Sequence, residues 1–326
     1  MSLILGVDGG GTKTECILAD ETGNILGRSI TGASNHLAVS GSEDMVKEVI
    51  TKAVNEAMSE AGLTGRETDV ACLALAGVGL SGKSEKMSRL IEGLIPARDI
   101  FLENDAVAGL VGATLKPWGV VIAAGTGAIA VGINEKGERK RSGGWGHLLG
   151  DEGSGYWIAR EGINQASRIY DKRSSESTLL LDKAMTFFKL NSFEELIRVI
   201  YGSQFRKEKL AAFAPYVTEA AEEGDQIAIA TLERAGWELG MAGVAVMNKL
   251  GLEKTNFDLA LNGSVFKAGK FIIEPLKDLI SENAPQARIV FPKFPPVIGA
   301  VIMGLWKINV SVDDQVIDRL DFGYGK

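Results

Sequence analysis

Short apolar runs rich in β-branched residues open the chain, separated by clusters of Gly, Asn and Asp. Residues 3–7 (LILGV), 15–19 (ECILA) and 24–27 (NILG) are broken by DGGGTKT at 8–14 and DETG at 20–23. Such runs between turn-forming clusters predict strands joined by tight turns, here a three-stranded meander. A second set has the same layout: GVVIA at 119–123, AGTG at 124–127, AIAVGI at 128–133 and NEKG at 134–137. Gly11-Thr12 precedes Gly23 by the spacing that separates Gly125-Thr126 from Gly137, and the two copies lie 114 positions apart. The repeat predicts two similar α/β domains, each opening with a meander, with residues 1–117 forming the N-terminal and 118–326 the C-terminal one.

The intervening pattern changes from period two to helical spacing. Val46, Val49, Ile50, Ala53 and Ala57 predict a helix over 42–61, with Ser42 as N-cap and Gly62 as its stop. A buried strand at 70–76, a helix at 84–94, a strand at 100–102 and a helix at 106–114 complete the first domain. Residues 192–201 carry a capping box in Ser192 and Glu195, and 207–223 and 225–250 read as longer helices. Residues 171–177 form a polar loop. Strands are expected at 257–261 and 287–291, with a turn at 262–265. A small-residue helix follows Pro295 and Pro296, over about 296–308, placed to pack back on the N-terminal domain. The charged segment after Asn309 carries no motif.

Glycine at the repeated turns has a physical use. It reaches positive φ without steric cost and lets successive N–H groups approach an anion closely. One such turn needs no ligand, but a matched pair suits a polyphosphate held from two sides. A rival exists in GVGLSGKS at 77–84, which matches a Walker A loop between a strand and a helix. An acidic-ended strand follows it at 100–105, as a P-loop protein would require. The residues alone leave both readings standing.

Composition narrows the partners. Hydrophobic residues make up 45% and charged residues 24%, as in a soluble globular protein, and the net charge of −7 disfavours a general nucleic-acid or anionic-membrane surface. The longest apolar stretch, 119–133, is too short and glycine-rich for a membrane span. Cys16 and Cys72 both fall in strand segments, which suits buried free thiols in a reducing compartment. A cytoplasmic protein acting on a small molecule, without nucleic acid or membrane, is the expectation.

The segment GGWGHLLGDEGSGYWIA at 143–159 resembles the signature of eukaryotic-type N-acetylglucosamine kinases. These belong to the BadF/BadG group, in the superfamily that joins sugar kinases, heat-shock chaperone ATPases and actin. DGGGTKT at 8–14 is similar to the first phosphate motif, AGTG at 124–127 to the second, and LNGSV at 261–265 to the adenosine motif. SNH at 34–36 and NDA at 104–106 resemble the sugar-side segments. The resemblance favours the paired turns over the P-loop, and implies two ribonuclease-H-like, actin-like ATPase domains facing an inter-domain cleft. It further implies ATP and Mg²⁺ as cofactors, a small-molecule sugar as acceptor, and a homodimer.

Roles follow by the same resemblance. Asp105 is the expected general base on the accepting 6-hydroxyl; helix N-cap is its other reading. Asp8 is expected to hold Mg²⁺, or else only to close its turn. Gly10, Gly11, Thr12, Gly125, Thr126 and Gly127 would hold phosphate. Lys13 reads either as a phosphate contact or as a solvated strand residue. Ala211, Gly263 and Ser264 match the nucleotide side, while Asn35, Gly143, Gly144, Trp145, Asp151 and Glu152, with Asp105, match the sugar side. His36 and His147 come with no zinc-ligand spacing. Leu37 stands where the eukaryotic kinases have an aromatic residue. An amino-sugar kinase acting on N-acetylglucosamine is the reading; glucosamine, N-acetylmuramate or hexose as acceptor, an ATPase activator and a sugar sensor are its alternatives.

Overall fold

A computed structural model describes all residues other than 35–42, 79–82, 92, 204 and 326. The expected Ser42 cap and the centre of the Walker-like loop therefore lie outside the described residues. The chain divides into two compact units, one of residues 1–121 and 290–326, the other of residues 122–289.

The first unit is built on the opening meander, β1 (Leu3–Gly9), β2 (Thr14–Asp20) and β3 (Ile25–Thr31). Helix α1 (Glu43–Glu60) leads to β4 (Thr68–Leu75), α2 (Lys83–Ile91) to β5 (Ala97–Glu103), and α3 (Asp105–Thr114) closes the run. β1 pairs antiparallel with β2 and parallel with β4, and β4 pairs parallel with β5. A parallel pairing needs a crossover, which α1 and α2 supply. The sheet order is β3-β2-β1-β4-β5.

In the second unit β6 (Gly119–Ala124), β7 (Ala128–Ile133) and β8 (Arg139–Gly143) repeat the meander. A helical block follows: α4 (Gly155–Tyr170), α5 (Leu180–Phe188), α6 (Leu196–Tyr201), α7 (Lys207–Ala211), α8 (Ala214–Glu222) and α9 (Gln226–Leu250). The unit ends with β9 (Phe257–Asn262), α10 (Lys270–Asn283) and β10 (Ala287–Val290). Its sheet runs β8-β7-β6-β9-β10, the same order by position as the first. The duplicated turns are thus parts of a duplicated sheet. The chain then returns to the first unit with α11 (Pro296–Lys307) and α12 (Asp314–Tyr324).

The apolar runs 3–7 of β1 and 16–19 of β2 are continuous, not alternating, because the first sheet is covered on both faces. Leu3, Leu5, Val7, Cys16 and Leu18 pack with Ile50, Ala53 and Val54 of α1. Ile4, Ile17, Ala19 and Val70 pack with Val297, Ile298, Val301 and Ile302 of α11 and with Val316 and Leu320 of α12. Cys16 and Cys72 are buried and unbridged. Among the described residues no helix is long and apolar enough to cross a membrane.

Several local expectations change. The helix foreseen over 207–223 is two, α7 and α8, because Pro215 in the first turn of α8 cannot continue a preceding helix. The capping box at 192–195 does not form: Ser192 makes no side-chain cap bond, and the Glu195 carboxylate accepts instead from the Asn191 N–H at 3.0 Å. Helices α4, α5, α10 and α12 were not foreseen. Pro275 inside α10 hides its period, and the apolar stripe of α12 is narrow, with Val316, Ile317 and Leu320 buried.

Helix α11 meets α3 closely. A side-chain carbon at Gly299 would lie 1.9 Å from the Ala108 carbonyl oxygen, backbone that cannot yield without parting the helices. Gly299→Ala is expected to destabilise the first unit by about 1–3 kcal/mol, read as a lower urea midpoint. An unchanged midpoint would show that the two helices separate at no cost.

Candidate functional site

The first unit brings Asp8, Gly10, Gly11, Thr12, Lys13 and Asp105 to one end of its sheet. Asp8 lies near the end of β1, opposite Glu15 of β2, so both side chains leave the same face. The β1–β2 turn is closed by the Gly10 N–H donating to the Lys13 carbonyl at 3.0 Å. Two hydroxyls near this turn, Thr14 Oγ1 and Ser34 Oγ, are buried without a hydrogen-bond partner among the described residues. Asp105 is the first residue of α3. Its other reading, as N-cap, gives way: Asn104 is the cap, accepting from the Ala106 N–H at 3.0 Å and donating to the Val78 carbonyl at 2.8 Å. Asn35 lies outside the described residues, as do His36 and Leu37.

Charge dominates this end. Burial pushes the Asp8 carboxyl up to about 7, helped by the negative charges of Asp105 and Glu15 and opposed by Lys13. Burial likewise pushes Asp105 up to about 6, against the N–H of Ala106, which steadies its charge. Carboxyls whose affinity for a proton is raised toward neutrality are placed to meet a cation or take up a proton. Among the described residues no group of three or more His, Cys, Asp or Glu gathers as a metal site.

Glu15 was missed in the sequence. Its side chain is 2% exposed, and it is bound by Lys13 Nζ at 2.7 Å, Arg28 at 2.8 Å and Tyr324 Oη at 3.0 Å. Lys13, half exposed, is an ion-pair partner of Glu15. The available signal was a carboxylate inside an apolar strand.

The second unit gathers its own set. The Gly125 N–H donates to the Gly127 carbonyl at 2.9 Å, and the carbonyl of Gly125 accepts from Gly155 at the start of α4, at 2.8 Å. Asp151 ties this turn to the 143–152 loop: its Oδ1 accepts from the Ala128 N–H at 3.3 Å. A side-chain carbon at Gly127 would lie 2.9 Å from its Oδ2, so only glycine leaves the carboxylate room. Burial raises the Asp151 carboxyl, while Ala128, Lys207 and His147 lower it. Asp151 also holds a left-handed φ of 61°, unusual outside glycine and a mark of a position fixed by its surroundings.

The rest of that loop is accessible. Gly143 and Gly144 have positive φ, Gly144 donates to the Ala128 carbonyl at 3.0 Å, and Trp145 is 63% exposed with Arg141 over its ring. Glu152 is exposed and, with Gly143, Met241 and Ala242, borders a cavity of about 190 Å³. Gly263, φ 120°, crosses the end of β6 closely, where a side-chain carbon would lie 2.2 Å from the Ala124 carbonyl oxygen. Ser264 follows it, exposed. The Ala211 carbonyl approaches Gly155. Gly125, Thr126, Gly127, Ala211 and Gly263 are thus gathered at one end of the second sheet, beyond its central strand β6.

The model of the BadF/BadG/BcrA/BcrD ATPase family matches residues 5–304. An N-acetylmuramic acid/N-acetylglucosamine kinase of Clostridium acetobutylicum is 32% identical over 303 residues, covering 93% of this chain and 98% of the relative. An N-acetyl-D-glucosamine kinase of Dictyostelium discoideum is 32% identical over 317 residues, again covering 93% and 98%. A crystal structure of a candidate N-acetylglucosamine kinase from Chromobacterium violaceum superposes with a TM-score of 0.74 at 25% identity, covering 94% of this chain and 99% of that one.

The raised carboxyls have a consequence for stability. Because Asp8 and Asp105 hold protons in the folded state that the unfolded chain has released, their stabilising contribution is full below their ordinary value of 3.8 and is lost as pH rises through about 6 and about 7. The unliganded double variant Asp8→Asn, Asp105→Asn is expected to gain thermal stability over the parent as pH goes from about 5 to about 8. A difference in melting temperature that stays constant across that range would mean that both groups titrate as ordinary carboxylates.

Proposed function

The chain belongs to the BadF/BadG/BcrA/BcrD ATPase family, and on that premise we propose that it is an ATP-dependent sugar kinase transferring the γ-phosphoryl group to the 6-hydroxyl of N-acetylglucosamine. The choice of acceptor is supported by the two relatives at 32% identity, whose names share N-acetylglucosamine, while N-acetylmuramate appears in one. The observation that carries the chemistry is the desolvated pair Asp8 and Asp105 beside a glycine turn.

Phosphoryl transfer asks the protein chiefly for positioning, charge neutralisation and a proton acceptor. Asp105 takes the proton of the accepting hydroxyl as the new O–P bond forms and the bond to the ADP oxygen breaks. Its raised carboxyl suits that task, since a base works best when its affinity for the proton lies near the working pH. The cap bond of Asn104 holds the start of α3, and with it the backbone that carries Asp105. Thr12 and Thr126, with the N–H groups of Gly10, Gly11, Gly125 and Gly127, hold phosphate oxygens. Ala211, Gly263 and Ser264 bound the nucleoside side.

On the sugar side Gly143, Gly144, Trp145, Asp151 and Glu152, with Asn35, meet hydroxyl and amide groups. Asp151 acts twice, accepting from sugar while fixing the Gly127 turn. A divalent cation fits beside Asp8, because two mutually repelling carboxylates out of water are stabilised by one. Asp8 would hold Mg²⁺ there, and the ion would supply charge neutralisation to the phosphates. We place the protein in the cytoplasm, on a small-molecule substrate and without nucleic acid.

Asp105→Asn is expected to lower kcat by about 10²–10⁴ while sugar affinity by calorimetry stays within a few fold. In the parent, kcat/KM for sugar should rise with pH to a plateau above about 6, the value at which Asp105 ionises. Near-normal turnover of the variant would remove Asp105 from the role of base.

A further inference from the structure

Helix α12, which nothing in the catalytic reading uses, reaches the first phosphate turn through one side chain. It docks on the β2–β3 turn: Val316, Ile317 and Leu320 are buried, and Arg319 donates to the Thr22 carbonyl at 3.1 Å. At its end Tyr324 lies under Arg28, whose guanidinium carbon is 4.2 Å from the ring centroid. Both converge on the carboxylate of Glu15.

The two oxygens of Glu15 are divided. Oε1 accepts from Arg28 Nε at 3.0 Å, from a second Arg28 nitrogen at 2.8 Å and from Tyr324 Oη at 3.0 Å. Oε2 accepts from Lys13 Nζ at 2.7 Å. Glu15 is 2% exposed and Lys13 52%. A carboxylate so deeply buried must be fully bonded, and whatever Arg28 and Tyr324 do not supply falls to Lys13. Lys13 is the one partner half in water, and it adjoins Thr12 in the turn.

We propose that Tyr324 and Arg28 are positioning residues that satisfy Glu15 from one side, so that Lys13 can leave Oε2 for the terminal phosphates of the nucleotide. The inference rests on the proposed phosphate role of the first turn. Loss of the Tyr324 hydroxyl makes Glu15 depend more on Lys13, and the phosphates must then compete harder for it. The effect is specific to polyphosphate, since AMP lacks the terminal phosphates that would draw Lys13 away.

Calorimetric titration of the full chain with a non-hydrolysable ATP analogue and with AMP, both with Mg²⁺, tests this. Tyr324→Phe should weaken the analogue about fivefold, leave AMP unchanged, and add nothing in a Lys13→Met background. Arg28→Gln should show the same pattern. Equal binding of the analogue by Tyr324→Phe and parent would overturn the inference. So would a loss that extends to AMP or persists without Lys13, which marks general loosening. A parent protein that binds no ATP analogue would instead overturn the proposed function itself.

Discussion

Negative charge taken out of water at one end of the first sheet is the constraint on which the candidate chemistry depends. Asp8 and Glu15 face the same side of a strand pair, and Asp105 adds its field to that of Asp8. Like charges cannot be buried together unless some are neutralised or keep their protons. Glu15 is neutralised by Lys13 and Arg28 and accepts a further hydrogen bond from Tyr324. Asp8 and Asp105 are left with raised affinities for protons, in a place where a cation and an acidifying hydroxyl would both be welcome. The same burial that costs stability makes the two carboxylates useful.

Duplication supplied the frame and divergence the division of labour. Both sheets have the same strand order, and each begins with a meander whose first turn holds a Gly-Thr pair. The first copy carries Asp8 and the charged strand residue Glu15. In the second, the turn is bonded to the N-terminus of α4 and packed under Asp151. The first turn is thus governed by charge, the second by backbone geometry. Asp151 makes the second turn and the 143–152 loop a single piece, so that the two functions assigned to them are mechanically joined.

Much of this was legible in the chain because its signals are local. Glycine turns between β-branched runs located the strands, and the glycines and carboxylates of the two turns lay in recognisable strings. Signals failed where the decisive partner is distant or the pattern is interrupted. Pro275 and Pro215 obscured or split helices, and α12 shows too few apolar positions to be seen before its docking surface is known. The cap of α3 fell on Asn104 and not Asp105, a shift of one residue that local pattern cannot decide. Glu15 went unnoticed because strand pairing brings Lys13 and Arg28 onto its carboxylate, and Tyr324, the third donor, is 309 residues away. Only the folded chain shows that its charge is matched.

The central claim is that this site moves phosphate onto the 6-hydroxyl of an amino sugar. The most direct measurement is ³¹P nuclear magnetic resonance of the products formed from ATP, Mg²⁺ and N-acetylglucosamine. The account predicts ADP and a single sugar phosphomonoester, its resonance split by the two protons on carbon 6. Inorganic phosphate without a sugar phosphate, or an ester at another carbon, would contradict it.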